Sequence, residues 1–331
     1  MNKSLLVVLF IVLGLTFAML NLLFGSESLS VSEVFSALTD PNHEWYSVLY
    51  NIRLPKMITA ILVGSSLPVA GMLLQTLFQN PIASPSILGI SSMAGLGTAL
   101  LIFVSEFFIA GGIITNSWII VLFSALGAIF GLFLISMISY KINNNASILV
   151  IGLILASLSS AIISTLQYFS SSDKIKDYFM WTLGSFEGLS WNQIGVFFIV
   201  IVLCLIFCVL ILKQLNVLHL GESYAETSGV QVGSLRIITI VISGLLTAVV
   251  TSFVGPIAFL GLIIPHISRL LFKTTNHNWL LPANILIGIA FTLLINLSST
   301  FFTVALPINI ITSFIGAPLA IFIIVKQSKF M

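Results

Sequence analysis

The polar side chains with the most informative spacing lie between residues 53 and 85. Arg53 and Lys56 stand before a long apolar run, and the polar turn QNPIASP at residues 79–85 follows it. A helix of about 20 apolar residues crosses the roughly 30 Å of a membrane's hydrocarbon core, and the run between these two polar groups has about that length. The spacing predicts a membrane crossing with two cations at one end and a rigid turn at the other.

The turn contains two prolines, Pro81 and Pro85. A proline has no backbone N–H to donate, and it disfavours a helical conformation for the residue before it. The turn is therefore expected to be stiff. Two interpretations fit it: an ordinary connector between helices, or a constriction that presents Asn80 and Ile82 to a transport pathway.

Catalytic and metal-binding motifs are absent from the sequence. It has no HExxH, no GxSxG, no nucleotide-binding GxxxxGK[ST] and no pair of membrane-embedded aspartates. The two cysteines, Cys204 and Cys208, lack histidine or aspartate neighbours and suit helix packing better than a metal site. We expect no catalytic residue, no metal and no cofactor on this chain, and any ATP and Mg²⁺ would be bound by a partner chain.

Titratable side chains are also scarce inside the apolar runs. Carriers driven by an ion gradient usually place such a group near the middle of the membrane, where it binds and releases the ion. Here acids, lysines and arginines map to loops or helix ends, and His266, after Pro265, lies closest to the interior of a run. It is either a proton site or a polar contact at a broken helix; we favour the contact. Uphill transport would then need energy from a partner.

Composition places the chain in a lipid bilayer. Of its 331 residues, 58% are hydrophobic and 7% are charged, against about 25% charged in soluble domains. The runs are continuous rather than alternating, so we predict an all-α integral membrane protein with one domain, residues 1–331. The eighth run, interrupted by Gly255 and Pro265, could be short, bent or re-entrant. The ten expected crossings are residues 4–24, 57–77, 88–105, 117–140, 147–170, 193–212, 236–254, 257–272, 280–301 and 308–325.

The basic residues predict the orientation of these crossings. With both termini in the cytoplasm, four of the twelve Lys and Arg residues lie outside and eight lie inside, which is the positive-inside bias of membrane proteins. The first run has no signal-peptidase cleavage site after it and is expected to be retained as a helix. The eight inner residues are Lys3, Lys141, Lys213, Arg236, Arg269, Lys273, Lys326 and Lys329.

The longest predicted cytoplasmic loop, residues 213–236, contains the segment ESYAETS between Gly221 and Gly229. This segment predicts a helix of one or two turns. Glu222 stands near its N-terminus, where the helix dipole favours an acid. The helix is either part of a simple connector or a docking knob for a cytoplasmic partner.

The fifth run, residues 147–170, is rich in small and hydroxylated side chains, among them Ser157, Ser160 and Ser164. Small residues allow helices to pack closely, and hydroxyl groups can line an uncharged polar channel. Both interpretations of this run remain open.

Taken together, these segments resemble the FecCD family, the permease subunits of ABC importers for iron–siderophores, haem and cobalamin. The resemblance implies a cobalamin-importer-like permease fold of ten helices in a bacterial cytoplasmic membrane. It also implies a second permease subunit, two cytoplasmic ATPase subunits and an external binding protein; no nucleic-acid partner is expected. The matching segments, in the family's order, are RLPK, LVGSSLPVAGMLLQ, QNPIASPSILGISS, LNVLHLGESYAETSGVQV, GPIAFLGLIIPHISRLL, the LLP at residues 280–282 and IGAPLAIFII.

The resemblance implies roles for residues at the cytoplasmic side. Asn80 and Ile82 match a gate loop, and Asn145 matches a second gate segment before the fifth helix. The coupling helix that sits in a cleft of the ATPase is matched by Gly221, Glu222, Ala225 and Gly229.

At the outer side, Arg53 and Lys56 match a basic pair that receives acidic residues of the binding protein. Lys56 replaces the commoner Arg and loses the bidentate geometry of a guanidinium while keeping the charge. Before its last helix the family often has Asp and Arg, then Glu-Leu-Pro. This sequence has Asn296, Thr300 and residues 305–307, Ala-Leu-Pro, in the corresponding places, which puts a third basic docking contact in doubt.

The expected function is import of a metal chelate by alternating access, driven by the partner ATPases. An iron–siderophore is the first choice of cargo, with haem or cobalamin next. The alternatives are the same architecture carrying molybdate or another oxyanion, an ion-coupled secondary carrier, and an assembly or anchoring subunit without a pathway. The sequence does not identify the cargo, and it leaves open whether two copies or a paralogue form the pathway.

Overall fold

The computed structural model describes residues 2–25, 27–108, 117–142, 144–300 and 306–328, and these residues form helices and no strand. Of the residues named above, Ala305 and Lys329 lie outside these ranges. The helices are α1 (Lys3–Leu23), α2 (Val31–Thr39), α3 (Tyr46–Val48), a π-helical turn (Leu49–Arg53), α4 (Leu54–Leu77), a 3-10 turn (Pro85–Leu88), α5 (Ile90–Phe108), α6 (Ser117–Lys141), α7 (Asn145–Tyr168), α8 (Ser172–Thr182), α9 (Trp191–Leu218), α10 (Glu222–Thr227), α11 (Val232–Val254), α12 (Leu260–Phe272), α13 (His277–Thr300) and α14 (Ile308–Ser328).

The helical architecture confirms the predicted all-α membrane fold. Among the described residues, seven helical segments are long and apolar enough to cross a membrane, and one of them is the continuous stretch Tyr46–Leu77. Three shorter apolar helices, Ile90–Val104, Leu260–Phe272 and Ile308–Phe322, occupy the remaining predicted runs. Each of the ten expected crossings therefore corresponds to a helix.

Two predicted boundaries around residues 213–236 are wrong. Helix α9 continues to Leu218 and α11 begins at Val232, so the segment between these helices is shorter than expected. The predicted boundary was set where the apolar pattern ends, at Lys213, Gln214 and Asn216. However, lysine and glutamine are good helix formers, and the helix continues through them.

Outside the ten runs, two α-helices of more than three residues, α2 and α8, were not predicted. Helix α2 begins with a capping box in which Ser30 and Glu33 bond each other's backbone N–H groups. Helix α8, Ser172–Thr182, follows α7 after a short break. Both lie in segments predicted as outer loops, where a search for continuous apolar runs finds nothing.

Helix α4 is the centre of the fold. Every residue from Leu62 to Leu77 is buried. Gly64 faces Gly288 of α13, and Gly71 faces Gly261 of α12; a Cβ atom on Gly64 or Gly71 would overlap the backbone of the facing glycine. The small residues let the helix backbones approach closely, which is the usual basis of helix association in lipid.

The eighth run is short and begins late, as its glycine and prolines suggested. Gly255, with φ of 87°, ends α11, and Phe259, with φ of 66°, precedes α12. The backbone N–H of Ala258 in the intervening loop donates to Asn309 Oδ1 at 3.2 Å. Helix α12 has 13 residues, a length of about 20 Å at 1.5 Å per residue, which is less than the hydrocarbon thickness.

Because the backbones of Gly71 and Gly261 approach so closely, we predict that adding one methyl group at Gly71 lowers the stability of the protein. We expect Gly71→Ala to lower the melting temperature of the detergent-solubilised protein, since the facing backbone of Gly261 cannot yield as a flexible side chain would. Overpacking of this kind costs about 1–3 kcal/mol.

Gly195→Ala in α9 is the matched control, because nothing lies within 4 Å of the position that its Cβ atom would take. It should leave the melting temperature unchanged or raise it slightly, as alanine favours a helix. Equal melting temperatures for the two variants would contradict the close packing of α4 on α12.

Candidate gate and coupling site

The turn after α4 is stabilised by its own hydrogen bonds. Asn80 Oδ1 accepts the backbone N–H of Ile82 at 3.1 Å, and the Asn80 carbonyl accepts the N–H of Ala83 at 3.1 Å. Gln79 adopts the left-handed conformation, with φ of 47°. This geometry leaves the Ile82 side chain 41% exposed, so the turn presents an apolar tip beyond the end of α4.

Asn145, the predicted second gate residue, is the first residue of α7 and is close to the end of α4. Asn144 caps the helix by accepting the N–H groups of Ala146 and Ser147. The Asn145 Nδ2 group lies 3.4 Å from the carbonyl of Leu77 and 2.8 Å from Glu222 Oε1. The structure thus brings the predicted second gate segment, the end of α4 and the predicted coupling helix together.

The segment between Gly221 and Gly229 forms the predicted short helix, α10. Both glycines have positive φ angles, 119° and 85°, which glycine adopts without strain. Ala225 is buried, and its carbonyl accepts the N–H of Val230 at 2.9 Å. The opposite side is exposed and includes Tyr224, so one face of α10 is not covered by the rest of this chain.

Glu222 joins α10 to the beginning of α11. Its two carboxylate oxygens lie 3.2 and 3.3 Å from Arg236 Nη2. The Arg236 side chain is 4% exposed, whereas that of Glu222 is 33% exposed. In the sequence analysis, Arg236 was used only in the count of cytoplasmic charges. Its partner, Glu222, lies 14 residues earlier in a different helix.

Arg53 lies at the other end of the α4 segment, in the π-helical turn, and it is buried. Its guanidinium donates to the carbonyls of Leu22 and Leu23 at 2.6 and 3.0 Å and to that of Glu27 at 2.6 Å. The bonds to Leu22 and Leu23 satisfy carbonyl groups at the C-terminal end of α1, which have no helical partners of their own. Glu27 lies after the end of this helix. The predicted docking residue therefore presents little free surface.

Lys56 is bound to an acid of the same chain. Its Nζ atom lies 2.7 Å from Glu187 Oε1, and the two side chains are 13% and 53% exposed. Asn296, one of the residues that replaced the family's charged pattern, is buried and donates to Asn21 Oδ1 at 2.7 Å. It ties α13 to α1 and is not available on the surface as a docking contact.

Ser157, Ser160 and Ser164 lie on one exposed side of α7. The hydroxyl of Ser157 donates to the carbonyl of Leu153 one turn earlier. Ser159, which was not singled out, is buried and contacts Met93 of α5. Within the single chain, therefore, the three predicted pathway serines are on a free helix face and do not pack against another helix.

A polar cluster at the predicted cytoplasmic end was missed. Arg269 Nη1 donates to Gln75 Oε1 at 2.6 Å, linking α12 to α4, and lies 3.5 Å from His266 Nδ1. His277 bonds Thr76 Oγ1 at 2.8 Å. His266 is thus a buried polar contact, as favoured above. The i, i+3 spacing of His266 and Arg269 was visible in the sequence, but their partner in α4 was not.

Comparison with known proteins identifies the family. The profile of the FecCD transport family matches residues 9–326. The molybdate import system permease protein MolB of Haemophilus influenzae is 35% identical over 314 residues, with 91% of this chain and 90% of that protein covered. The hemin transport system permease protein HmuU of Yersinia pestis is 31% identical over 312 residues, covering 92% and 90%.

The fold agrees with a solved structure of the same kind. That structure is the inward-facing conformation of a transporter assigned to the metal-chelate type of ABC transporter. It superposes with a TM-score of 0.86 at 32% identity and covers 98% of this chain and 99% of its own. The chain belongs to the FecCD transport family, and so is a multi-pass, non-catalytic permease subunit of an ABC importer whose ATPase is a separate chain.

Proposed function

We propose that this chain forms half of the pathway of an ABC importer and passes a metal chelate into the cytoplasm by alternating access. The observation that carries the proposal is the attachment of the α10 segment, residues 218–229, to the predicted gate turn. Gln79 Nε2 donates to the carbonyl of Leu218, at the end of α9, at 3.3 Å. Displacement of this segment by an ATPase would therefore move the turn that bears Asn80 and Ile82.

The free face of α10 supports docking of the ATPase there. Tyr224 in α10 is 54% exposed, and Leu220, just before the helix, is 65% exposed. Apolar side chains of this kind would fill a cleft on a partner. Two ATPase subunits would bind ATP and Mg²⁺, one against each permease subunit. Gly221 and Gly229 permit the chain to turn into and out of the helix.

The serine-bearing face of α7 supports a pathway between two permease subunits. Hydroxyl groups and apolar side chains alternate there without fixed charge, which suits a bulky cargo that must be released readily. Ser157, Ser160 and Ser164 would line it. The facing subunit is a second copy or a paralogue, and both termini would lie in the cytoplasm.

At the outer end, Lys56 is the better candidate for docking the binding protein. Arg53 would act by holding α1 against the π-helical turn, since its donors are bound to carbonyl groups. Lys56 would exchange Glu187 for a carboxylate of the binding protein, and such exchange between partly exposed ion pairs costs little.

A second candidate cargo is an oxyanion. The 35% identity with a molybdate permease, slightly above the 31% identity with a hemin permease, supports it. An iron–siderophore or other metal chelate is supported by the agreement with the metal-chelate type structure. An ion-coupled secondary carrier and an anchoring subunit find no support in the family.

The proposal predicts that uptake depends on ATP and on the gate. In vesicles holding this chain, its cognate ATPase and its binding protein, radiolabelled cargo should accumulate only with hydrolysable ATP, and an uncoupler of the proton gradient should have no effect. Ile82→Trp should slow uptake about tenfold, an added barrier of about 1.4 kcal/mol.

Ile199→Trp is the matched control. Ile199 is also exposed, at 58%, but lies in α9 away from the turn. Uptake that persists without the ATPase would refute the importer, and uptake abolished by the uncoupler would indicate a secondary carrier. An Ile82→Trp variant that transports normally would remove the turn from the pathway.

The cargo is distinguished by competition in the same vesicles. If the cargo is a metal chelate, excess ferric siderophore, haem or cobalamin should block uptake of its labelled counterpart, and molybdate or tungstate should leave that uptake unchanged. The reverse pattern would establish an oxyanion. Binding of each candidate to the isolated binding protein, measured by calorimetry, should follow the same order as uptake.

The ion pair of Lys56 predicts opposite effects of two substitutions on docking. Lys56→Gln should weaken binding of the binding protein, while Glu187→Gln, by freeing Lys56, should strengthen it up to about fivefold, the equivalent of about 1 kcal/mol for an exposed pair. Glu44→Gln, another exposed outer acid, is the control. Weaker binding by Glu187→Gln would show that the pair has a structural role only.

A further inference from the structure

We propose that Glu222 is the positioning residue that couples α10 to the gate, by holding Asn145 and Arg236 at the same time. The inference rests on the proposed function and specifies which side chain transmits the movement. Glu222 Oε1 accepts a hydrogen bond from Asn145 Nδ2 at 2.8 Å, and the same carboxylate binds Arg236 Nη2 at 3.2 and 3.3 Å.

The first connection leads to the gate turn. Asn145 Nδ2 is also 3.4 Å from the carbonyl of Leu77, the last residue of α4. Leu77 is separated from Asn80 by only two residues, and Gln79 between them bonds Leu218 at the beginning of the α10 segment. The turn is thus linked to this segment on two sides, through Glu222 and through Leu218.

The second connection anchors the carboxylate. Arg236 is buried, with 4% of its side chain exposed, in the first turns of α11, and its positive charge holds the Glu222 carboxylate in place. Hydrogen bonds between charged groups are stronger than neutral ones and more directional. Glu222 is the more exposed partner. Because its carboxylate binds both Arg236 and Asn145, a displacement of α10 would act on both residues through this one side chain.

A purely structural role would give a different result from coupling. If Glu222 only stabilised the fold, its loss would lower the amount of folded protein or detach the ATPase. If it couples, the ATPase stays bound and continues to hydrolyse ATP, but the gate no longer follows. The ratio of ATP hydrolysed to cargo imported separates the two cases.

The experiment uses the complete transporter in vesicles and measures ATP hydrolysis and uptake together. For Glu222→Gln and for Asn145→Ala we expect about tenfold more ATP hydrolysed per cargo imported, the scale of one lost charge-assisted hydrogen bond. ATPase co-purification should be unchanged. Asn278→Ala is the matched control, because Asn278 is an exposed asparagine at the same end of the molecule.

A charge exchange tests the contact itself. In the double variant Glu222→Arg with Arg236→Glu, the ion pair is restored in reverse and again joins α10 to α11, while the hydrogen bond to Asn145 stays lost because the Asn145 amide remains a donor towards the Leu77 carbonyl. The hydrolysis-to-uptake ratio should return towards that of the wild type, whereas Glu222→Arg alone should remain uncoupled.

The movement of the predicted gate turn is measured directly by thiol labelling. Ile82→Cys should change its rate of thiol labelling when ATP is added, and Glu222→Gln in the same background should abolish that change. The native Cys204 and Cys208 are buried. An unchanged ratio, an ATP-dependent labelling change that survives Glu222→Gln, or loss of ATPase binding would each overturn the coupling role; a wild type without ATP-dependent uptake would instead refute the proposed function.

Discussion

The close contact of α4 with α12 and α13 is the constraint on which the rest of the structure depends. Lipid offers no hydrogen-bond partners to a backbone, so the chain must cross as helices, and the helices must hold together by packing rather than by exclusion of water. The facing glycines at positions 64 and 288, and at 71 and 261, provide that packing. Both ends of α4 are consequently fixed relative to the bundle, and these ends carry the two cations Arg53 and Lys56 and the turn of residues 79–85.

Several of the buried polar groups join one helix to another, while others bond a carbonyl of their own helix. Arg53 bonds the carbonyl end of α1, the Asn21–Asn296 pair ties α1 to α13, and Gln75 bonds Arg269 of α12. A polar group buried in an apolar environment is costly unless it is hydrogen-bonded. Each of these contacts therefore specifies which helices are neighbours. They lie near the two ends of α4.

The sequence predicted what depends on local pattern. Continuous apolar runs identified the ten helical regions, and the two glycines around ESYAETS identified α10, because positive φ angles and a short helix are local properties. The partners of single side chains were not predictable. Arg53 was expected at the surface, but its guanidinium bonds carbonyl groups 26 to 31 residues earlier in the chain. Asn145 bonds Glu222, which lies 77 residues later. Such contacts follow from the packing of whole helices, which no short pattern contains.

On the proposal that the free α7 face lines the pathway, its character accounts for relatives that are named for chemically different cargo. Serine hydroxyls and aliphatic side chains accept neither an oxyanion nor a metal chelate strongly, so such a face discriminates poorly between them. Relatives named for molybdate and for hemin are indeed nearly equal in identity to this chain, at 35% and 31%. Under this proposal, selection by charge and shape would occur before the cargo enters the pathway. Under the proposed function, differences between such transporters should concentrate at the contact around Lys56 and Glu187, where a binding protein would deliver its cargo. The proposed gate turn and the α10 contacts, which every cargo would use in the same way, should differ less.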